Sequence, residues 1–551
     1  MSETIGQPWL TSYSPDMPRY VEIEHESVGE AWRARVDQAP AETAIIYFDA
    51  KYTALQIDEM SDALAVALAD RGVLVGDRVG IQLQNTPQFS ISLLALWKLG
   101  AIGVLINPMY RGKEFERVVV DSGAIGLIVD DRLYQRAMED VEGSDVAWII
   151  TTSGLDLQNN NDPRVFSTTT RLSPSPDGDL LTILGKFSGA KPERVRVDSD
   201  DIALLTYTSG TTGPAKGATN THGNLLHIAA TNQKWLDFQY GDVMAAVAPL
   251  FHITGVGVVN TMVLLYGGAL LFSNRPHPEV ILEQFKKYRA DYMIGSITVF
   301  NAIYQVPFGT AEHLASAKAL YSGGAPIPPA TVTAFEEKFG QYIHNVYGMT
   351  ETTSATIAVP MGQRAAIDTG SGSLSIGVPL PNVLARVVDL DGHELPANTE
   401  GELELSGPQI VPGYWQNEAA TEHTFPNGKL RTGDAAIMDD AGWIFLVDRL
   451  KDQINVSGFK VWPREVEDAI YEHPSVYEAA VVGEEDAYRG ETVVAYVSLH
   501  KGQNVDSDTL IQFAQQRLAA YKYPRKIYFL DDLPKTETGK IRRKALRTRT
   551  I

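Results

Sequence analysis

The 551-residue chain contains no cysteine. Disulfides, thiolate metal sites and a cysteine nucleophile are thereby excluded, and any thioester chemistry must use a thiol carried by another molecule. Basic residues are few beside acidic ones: 47 Lys and Arg against 68 Asp and Glu, a formal net charge of −21. That balance argues against a nucleic-acid partner, because phosphate backbones are gripped through a basic footprint. No uninterrupted apolar run reaches the ~18 residues that a membrane span needs, so no transmembrane segment is expected. "MSETIGQPWL" lacks a basic n-region and an apolar h-region, so no secretory signal is expected and the cytoplasm is the default location. Peripheral membrane contact and a homodimer are both left open.

What remains is the composition of an ordinary soluble globular protein, long enough for roughly three to four folding units. "RVGIQLQ" (78–84), "AIGVLIN" (101–107) and "AIGLIVD" (124–130) read as strands, and "SISLLALWKLG" (90–100) as a helix between two of them. That alternation predicts a parallel α/β sheet. Residues 156–180 are rich in Asn, Ser, Asp and Pro and read as an exposed loop. "DIALLTYTS" (201–209) is the next strand, and Thr221 is the expected N-cap of a helix over "HGNLLHIAATNQKWL". A further α/β series fills 241–345, and a Gly/Pro-rich β region follows over about 370–447. After "DRLKD" (448–452), helices at 463–473 and 508–520 and strands near 477–483 and 491–499 predict a compact α+β unit of about one hundred residues. No internal repeat is evident.

The stretch "TYTSGTTGPAKG" (206–217) combines glycines, which let backbone N–H groups turn toward an anion, with hydroxyl donors and a lysine. It reads as a phosphate loop, but not as a Walker loop. Four residues after Gly210 come Ala215, Lys216 and Gly217, so the glycine before the lysine and the hydroxyl after it are both missing. No Walker B partner is evident either.

"YTSGTTGPAKG" closely resembles the phosphate loop of the adenylate-forming superfamily, which includes acyl-CoA synthetases, luciferase-like enzymes and peptide-synthetase adenylation domains. The resemblance extends over nearly the whole chain in the expected order. "YSGGAPI" (321–327) resembles the adenine-binding turn, "YGMTET" (347–352) the magnesium and phosphate motif, and "RTGD" (431–434) the ribose motif. "DRLKDQINVSGFKV" (448–461) resembles the hinge and thiol-acceptor motif, and "PKTETGKIRR" (534–543) the C-terminal catalytic-lysine motif.

The resemblance implies a large, multi-subdomain N-terminal α/β domain with a β region over 1–447, and a small, mobile α+β C-terminal domain over 453–551. A hinge over 448–452 would be centred on Lys451. It implies an enzyme that attacks the α-phosphate of ATP with a carboxylate, giving acyl-adenylate and pyrophosphate, and then displaces AMP with a thiol. ATP, Mg²⁺ and coenzyme A are the expected cofactor and co-substrates. Lys540 would stabilise the charge that develops in the first step, with Lys216 adding charge at the phosphates. Thr208, Ser209, Gly210, Thr211, Thr212 and Gly213 would cradle the departing pyrophosphate. Glu351 would ligate Mg²⁺ with Thr208 adding a hydroxyl, and Thr350 would lie beside them. Tyr347 would stack on adenine, flanked by Gly323, Gly324 and Ala325, with Asn345, Gly348 and Met349 completing the nucleotide site. Asp434 would accept the ribose hydroxyls, and Arg449 would hold ribose or phosphate or form an interdomain ion pair. Ser457, Gly458 and Lys460 would line the coenzyme A entrance, and Arg542, Arg543 and Lys544 either meet its phosphates or form a solvated face.

His252 in "APLFHITG" would stand at the mouth of the acyl pocket, a core histidine being the alternative. Peptide-synthetase domains usually place aspartate there, so an α-amino acid is disfavoured. The apolar stretches "HITGVGVVNTMVLL" and "GSITVFNAIY" would line an uncharged tail, with Ile253, Val256 and Val299 as pocket residues. "LINPMYRGKEFERVVVDSGA" (105–124) resembles the corresponding segment of bacterial fatty-acid ligases. A medium- or long-chain fatty acid is therefore expected. The alternatives are an aryl acid, loading of a separate carrier protein, a luciferase-like oxygenase, or an inactive nucleotide sensor. A fused carrier domain is not expected, since the chain ends at Ile551.

Overall fold

The computed structural model describes residues 6–547 apart from 168, 173–174, 177, 209–214, 326, 369–372, 450–451, 457–458, 487–489 and 537–540. Among the described residues the strands form four sheets. One has the order Trp148–Thr152, Gly126–Asp130, Arg78–Gln82, Ile102–Leu105, Ile202–Tyr207, Gly217–Thr221. Its pairings are parallel up to the last, where Gly217–Thr221 returns antiparallel against Ile202–Tyr207. The phosphate-loop stretch is therefore the turn of a hairpin rather than a simple strand-to-helix passage. "GATNT" escapes sequence reading because its five residues carry no alternation: all five are buried.

A second sheet of nine strands includes Val243–Ala245, Ala269–Phe272, Tyr292–Gly295, Ala319–Gly323 and Ile343–Met349, parallel through its centre and antiparallel at both margins. The helices Ala54–Ala69, Pro87–Lys98 and His222–Trp235 contribute to one apolar core with residues of both sheets. Every residue of Pro87–Lys98 is buried; its polar members Gln88, Ser90, Ser92 and Lys98 are accommodated there by hydrogen bonds to buried partners. The predicted cap at Thr221 is present: its side chain accepts from the Asn224 N–H, and Asn224 answers with a bond to the Thr221 N–H.

The 156–180 segment is only in part the exposed loop that its composition suggests: Asn159, Asn160, Asn161, Ser167 and Thr170 are exposed, but other residues are anchored. Asp156, Val165, Phe166, Ser175 and Asp179 are buried, and the Arg171 guanidinium fastens the segment by pairing with Asp156 at 2.8 Å and Asp179 at 2.5 Å. Its buried acids Asp156 and Asp179 are satisfied by Arg171 from within the segment, which composition alone cannot show.

The Gly/Pro-rich region forms a four-stranded antiparallel sheet that ends with Leu430–Met438 and Ile444–Arg449. From Ile454 onward a separate sheet forms, with its own apolar core around Val466, Ile470, Val481 and Val497. Here the helices Pro463–Tyr471 and Ser507–Gln515 and the long strands Val476–Asp486 and Gly490–Leu499 agree with the sequence reading to within a few residues.

Candidate active site

Three of the motifs follow the carboxyl ends of parallel strands, the edge where open α/β sheets receive ligands. Thr208 follows the strand Ile202–Tyr207, Gly324 and Ala325 follow Ala319–Gly323, and Thr350 and Glu351 follow Ile343–Met349. Residues 209–213 lie outside the described residues, but the base of their loop does not. The Thr208 N–H donates to the Lys216 carbonyl at 3.0 Å, and the Lys216 N–H returns to Thr208 Oγ1 at 3.3 Å. The loop is thus closed at its neck by the two residues expected to serve metal and phosphate.

Glu351 sits in a short 3-10 turn, Thr350–Thr352, and is buried. The chain then bends sharply, with Thr353 at φ 52° and Ser354 at φ 105°. Non-glycine residues rarely adopt such values, and they persist only where the surroundings enforce them. Enforcement is visible here. Asn220 donates to Thr353 Oγ1 at 3.0 Å, and Thr352 Oγ1 donates to the Ser354 carbonyl at 2.6 Å. A Cβ on Gly348 would lie 1.9 Å from the Ser354 oxygen, so only glycine lets the strand pass this turn.

Sequence reading missed Tyr414. Its hydroxyl donates to Glu351 Oε1 at 2.6 Å, and the Lys216 ammonium stands 4.1 Å from the centre of its ring. Burial, and then the Glu351 charge, push the phenol far above its ordinary range, so it remains a donor. The only local signal is the Pro-Gly turn before the aromatic pair of "VPGYW"; the contact itself spans 63 residues. Glu351 Oε2 has no hydrogen-bond donor among the described residues. A buried carboxylate is the kind of oxygen donor that a hard divalent cation takes.

Tyr347 and Asp434, predicted for adenine and ribose, meet directly: the tyrosine hydroxyl donates to Asp434 Oδ2 at 2.7 Å, and both residues are buried. Asp434 lies opposite Arg449 in the adjoining strand. The Arg449 side chain is outside the described residues. Asn345 turns its amide to the Ser375 carbonyl at 3.0 Å and supports the neighbouring chain rather than the open edge. Met349 pairs with Ser354 across the same turn.

His252 is half-buried, and its Nδ1 accepts from the Thr254 N–H at 3.3 Å. Ile253 and Val256 are fully buried in the main core, while Val299 is part-buried against a second apolar cluster. Residues 255–261 form a π-helical stretch, a departure often found at functional sites. Its Gly257 is pressed on the Glu351 turn: a Cβ there would stand 2.9 Å from the Thr353 oxygen.

Ser457, Gly458, Lys451 and Lys540 lie outside the described residues, as does the Lys460 side chain. Described residues of the same region are tied together. Asp448 is buried and accepts from the Arg464 N–H at 2.9 Å, and Ser373 reaches across to Asp468 at 3.1 Å. Arg542 and Lys544 are exposed. Arg543 is not part of a solvated basic face: its side chain is 20% exposed and pairs with Glu467 at 2.7 Å, Asp448 at 3.4 Å and Asp452 at 3.6 Å. Buried acids draw it inward, a preference invisible in a run of basic letters.

No helix among the described residues is long and apolar enough to cross a membrane. A family model described as AMP-binding enzyme matches residues 32–415, and one described as AMP-binding enzyme C-terminal domain matches 465–540. The chain is 32% identical to a long-chain-fatty-acid–CoA ligase of Escherichia coli O6:H1, over 98% of this chain and 97% of that one. It is 31% identical to a feruloyl-CoA synthase of an Amycolatopsis species, over 96% of this chain and 100% of that one. Among solved structures it resembles ATP-bound MatB from Rhodopseudomonas palustris, with a TM-score of 0.83, 28% identity and coverage of 94% and 98%. It likewise resembles o-succinylbenzoate CoA synthetase from Bacillus subtilis with ATP and magnesium, with a TM-score of 0.79, 27% identity and coverage of 94% and 98%. The strand-end motifs, the small C-terminal unit and these full-length likenesses lead to one conclusion: the chain belongs to the AMP-binding enzyme family, as an adenylate-forming acyl-CoA ligase.

Proposed function

We propose that this enzyme activates a medium- or long-chain fatty acid as acyl-AMP and transfers the acyl group to free coenzyme A, releasing AMP and pyrophosphate. The observation that carries the site assignment is the contact chain from the phosphate-loop neck through Lys216 and Tyr414 to Glu351.

In the first step a carboxylate oxygen of the acid bonds to the α-phosphorus, and the bond from that phosphorus to the α–β bridging oxygen breaks. Lys216 and the loop at 209–213 hold the pyrophosphate that leaves. Magnesium, when bound, supplies charge that screens the phosphates, and Glu351 and Thr208 would hold it. Lys540 stabilises charge on the phosphorus oxygens, where two anions are forced together. Tyr347 packs on adenine beside Gly323, Gly324 and Ala325, and Asp434 exchanges its bond from Tyr347 for ribose hydroxyls. In the second step the thiol loses its proton as sulfur bonds to the acyl carbon. The carbon–oxygen bond to phosphate breaks, and AMP departs with the electron pair. Ser457, Gly458 and Lys460 guide the thiol, and Lys451 serves as the pivot between the two steps.

The fatty-acid reading is supported by the apolar segments at Ile253, Val256 and Val299 and by the long-chain-fatty-acid–CoA ligase relative. The feruloyl-CoA synthase relative favours a second reading, an aryl acid. Pyrophosphate release and acyl-CoA formation with dodecanoate and with ferulate separate the two. Dodecanoyl-CoA forming faster is the expected outcome; a strong preference for ferulate reverses the assignment. An adenylate that persists with coenzyme A and discharges only onto a carrier protein would replace the acceptor. Lys540→Ala is expected to slow adenylate formation on the order of 10²-fold or more, while a preformed adenylate is still consumed.

A further inference from the structure

Tyr414 is held from every side. Its N–H donates to Thr421 Oγ1 at 2.9 Å, its residue pairs with Ala218 of the hairpin strand, and its ring packs on Phe425 with centroids 5.6 Å apart. The two groups it touches are otherwise adjustable. Lys216 ends a flexible four-carbon stem, and Glu351 Oε1 has no other hydrogen-bond donor among the described residues. A fixed phenol between a cation and an anion can orient both at once. The ring face attracts the ammonium while leaving its N–H donors free for other acceptors. The hydroxyl pins one carboxylate oxygen and leaves the other open.

We propose that Tyr414 is a positioning residue that holds the Lys216 ammonium and the Glu351 carboxylate as one preset unit for the metal–ATP complex. This rests on the assignment of Glu351 to the metal and Lys216 to the phosphates. The two functions of the side chain are separable by substitution. Tyr414→Phe keeps the ring and removes only the bond to Glu351. Tyr414→Leu removes both.

The test is binding to the full-length enzyme without any acid substrate, so that turnover plays no part. Mn²⁺–ATP binding is followed by electron paramagnetic resonance, and metal-free ATP binding by calorimetry in chelator. Tyr414→Phe is expected to weaken Mn²⁺–ATP by about ten-fold or more, the usual cost of losing a group that orients a metal ligand. Its affinity for metal-free ATP should match that of the unaltered enzyme. Tyr414→Leu should weaken both. Glu351→Gln serves as the reference for loss of the metal ligand itself. If Glu351→Gln loses the metal-dependent binding and Tyr414→Phe keeps it, the proposal is wrong while the assignment of Glu351 stands. Equal metal-free affinity in the Phe and Leu variants removes the role of the ring and likewise overturns it. If the unaltered enzyme binds ATP equally with and without Mn²⁺, the Glu351 assignment fails and takes the proposal with it. Should Tyr414→Leu fail to fold, the Phe variant alone decides, since it preserves the buried shape.

Discussion

Two cations, the buried Lys98 in the large N-terminal body and the part-buried Arg543 in the C-terminal unit, are put to different uses. Lys98 donates to Asp58 at 2.6 Å, Asp62 at 2.6 Å and Ser61 at 2.8 Å, and all three partners stand on the single helix Ala54–Ala69. The lysine fastens one helix to another within one body. Arg543 divides its guanidinium between Glu467, on the helix Pro463–Tyr471, and Asp448 and Asp452, on the segment that leads out of the four-stranded sheet. Burial opposes its charge, but Glu467 and Asp448 outweigh that and raise its pKa above the ordinary arginine value. Its own position follows directly on the catalytic-lysine stretch. A network with all partners on one element adds stiffness; one shared between the helix Pro463–Tyr471 and residues 448 and 452 ties the C-terminal unit to the strand that leads into it.

The contrast can be broken at either end. Lys98→Met would leave Asp58 and Asp62 facing each other without a cation, a loss of about 3–5 kcal/mol by comparison with other broken buried pairs. The whole N-terminal body should melt earlier in calorimetry, with both half-reactions reduced only as far as folded enzyme is lost. Arg543→Met should cost a similar amount but locally. Hydrogen exchange should rise in residues 463–486 and 541–547 and leave helix 54–69 protected, and the two half-reactions should fall unequally. Uniform exchange across both bodies would erase the distinction drawn between them.

A smaller effect is expected at Lys451, the pivot on the proposed reading. Lys451→Pro fixes φ and removes an N–H, so adenylate formation should survive while thioester formation falls on the order of 10²-fold, the cost of misplacing reacting groups by about 1 Å. Equal losses in both steps would point to misfolding instead. The smallest change is Ser373→Ala. It removes one hydrogen bond between the two bodies, about 1 kcal/mol. That should change the ratio of the two half-reaction rates by no more than about five-fold, with no change in melting of the N-terminal body.

Much of this was legible in the sequence where information is local. The strand before the phosphate loop, the Thr221 cap and the alternation of the C-terminal unit all depend on neighbours within a few residues, and all were found as expected. What escaped is what folding brings from far away. Tyr414 reaches Glu351 across 63 positions, and Arg543 reaches Asp448 across 95. Neither residue has a local pattern that distinguishes it from an ordinary core tyrosine or a surface arginine. The anchored part of the 156–180 segment escaped for the same reason, since Asp156 and Asp179 find their partner only after Arg171 has folded back on them.

The close approach of Gly257 to the Thr353 carbonyl carries a cost for anyone who would retune the enzyme. On the proposed assignments, the segment behind the acid's tail packs directly on the metal-binding turn, with no room for a side chain at Gly257. Enlarging or narrowing the channel with bulkier residues between Ile253 and Asn260 would push on a bend already held at unusual backbone angles. Variants selected for a new chain length should therefore show altered tolerance to magnesium concentration as well. Selectivity and phosphate chemistry are inherited together, and compensating changes belong at Asn220, Thr352 and Thr353.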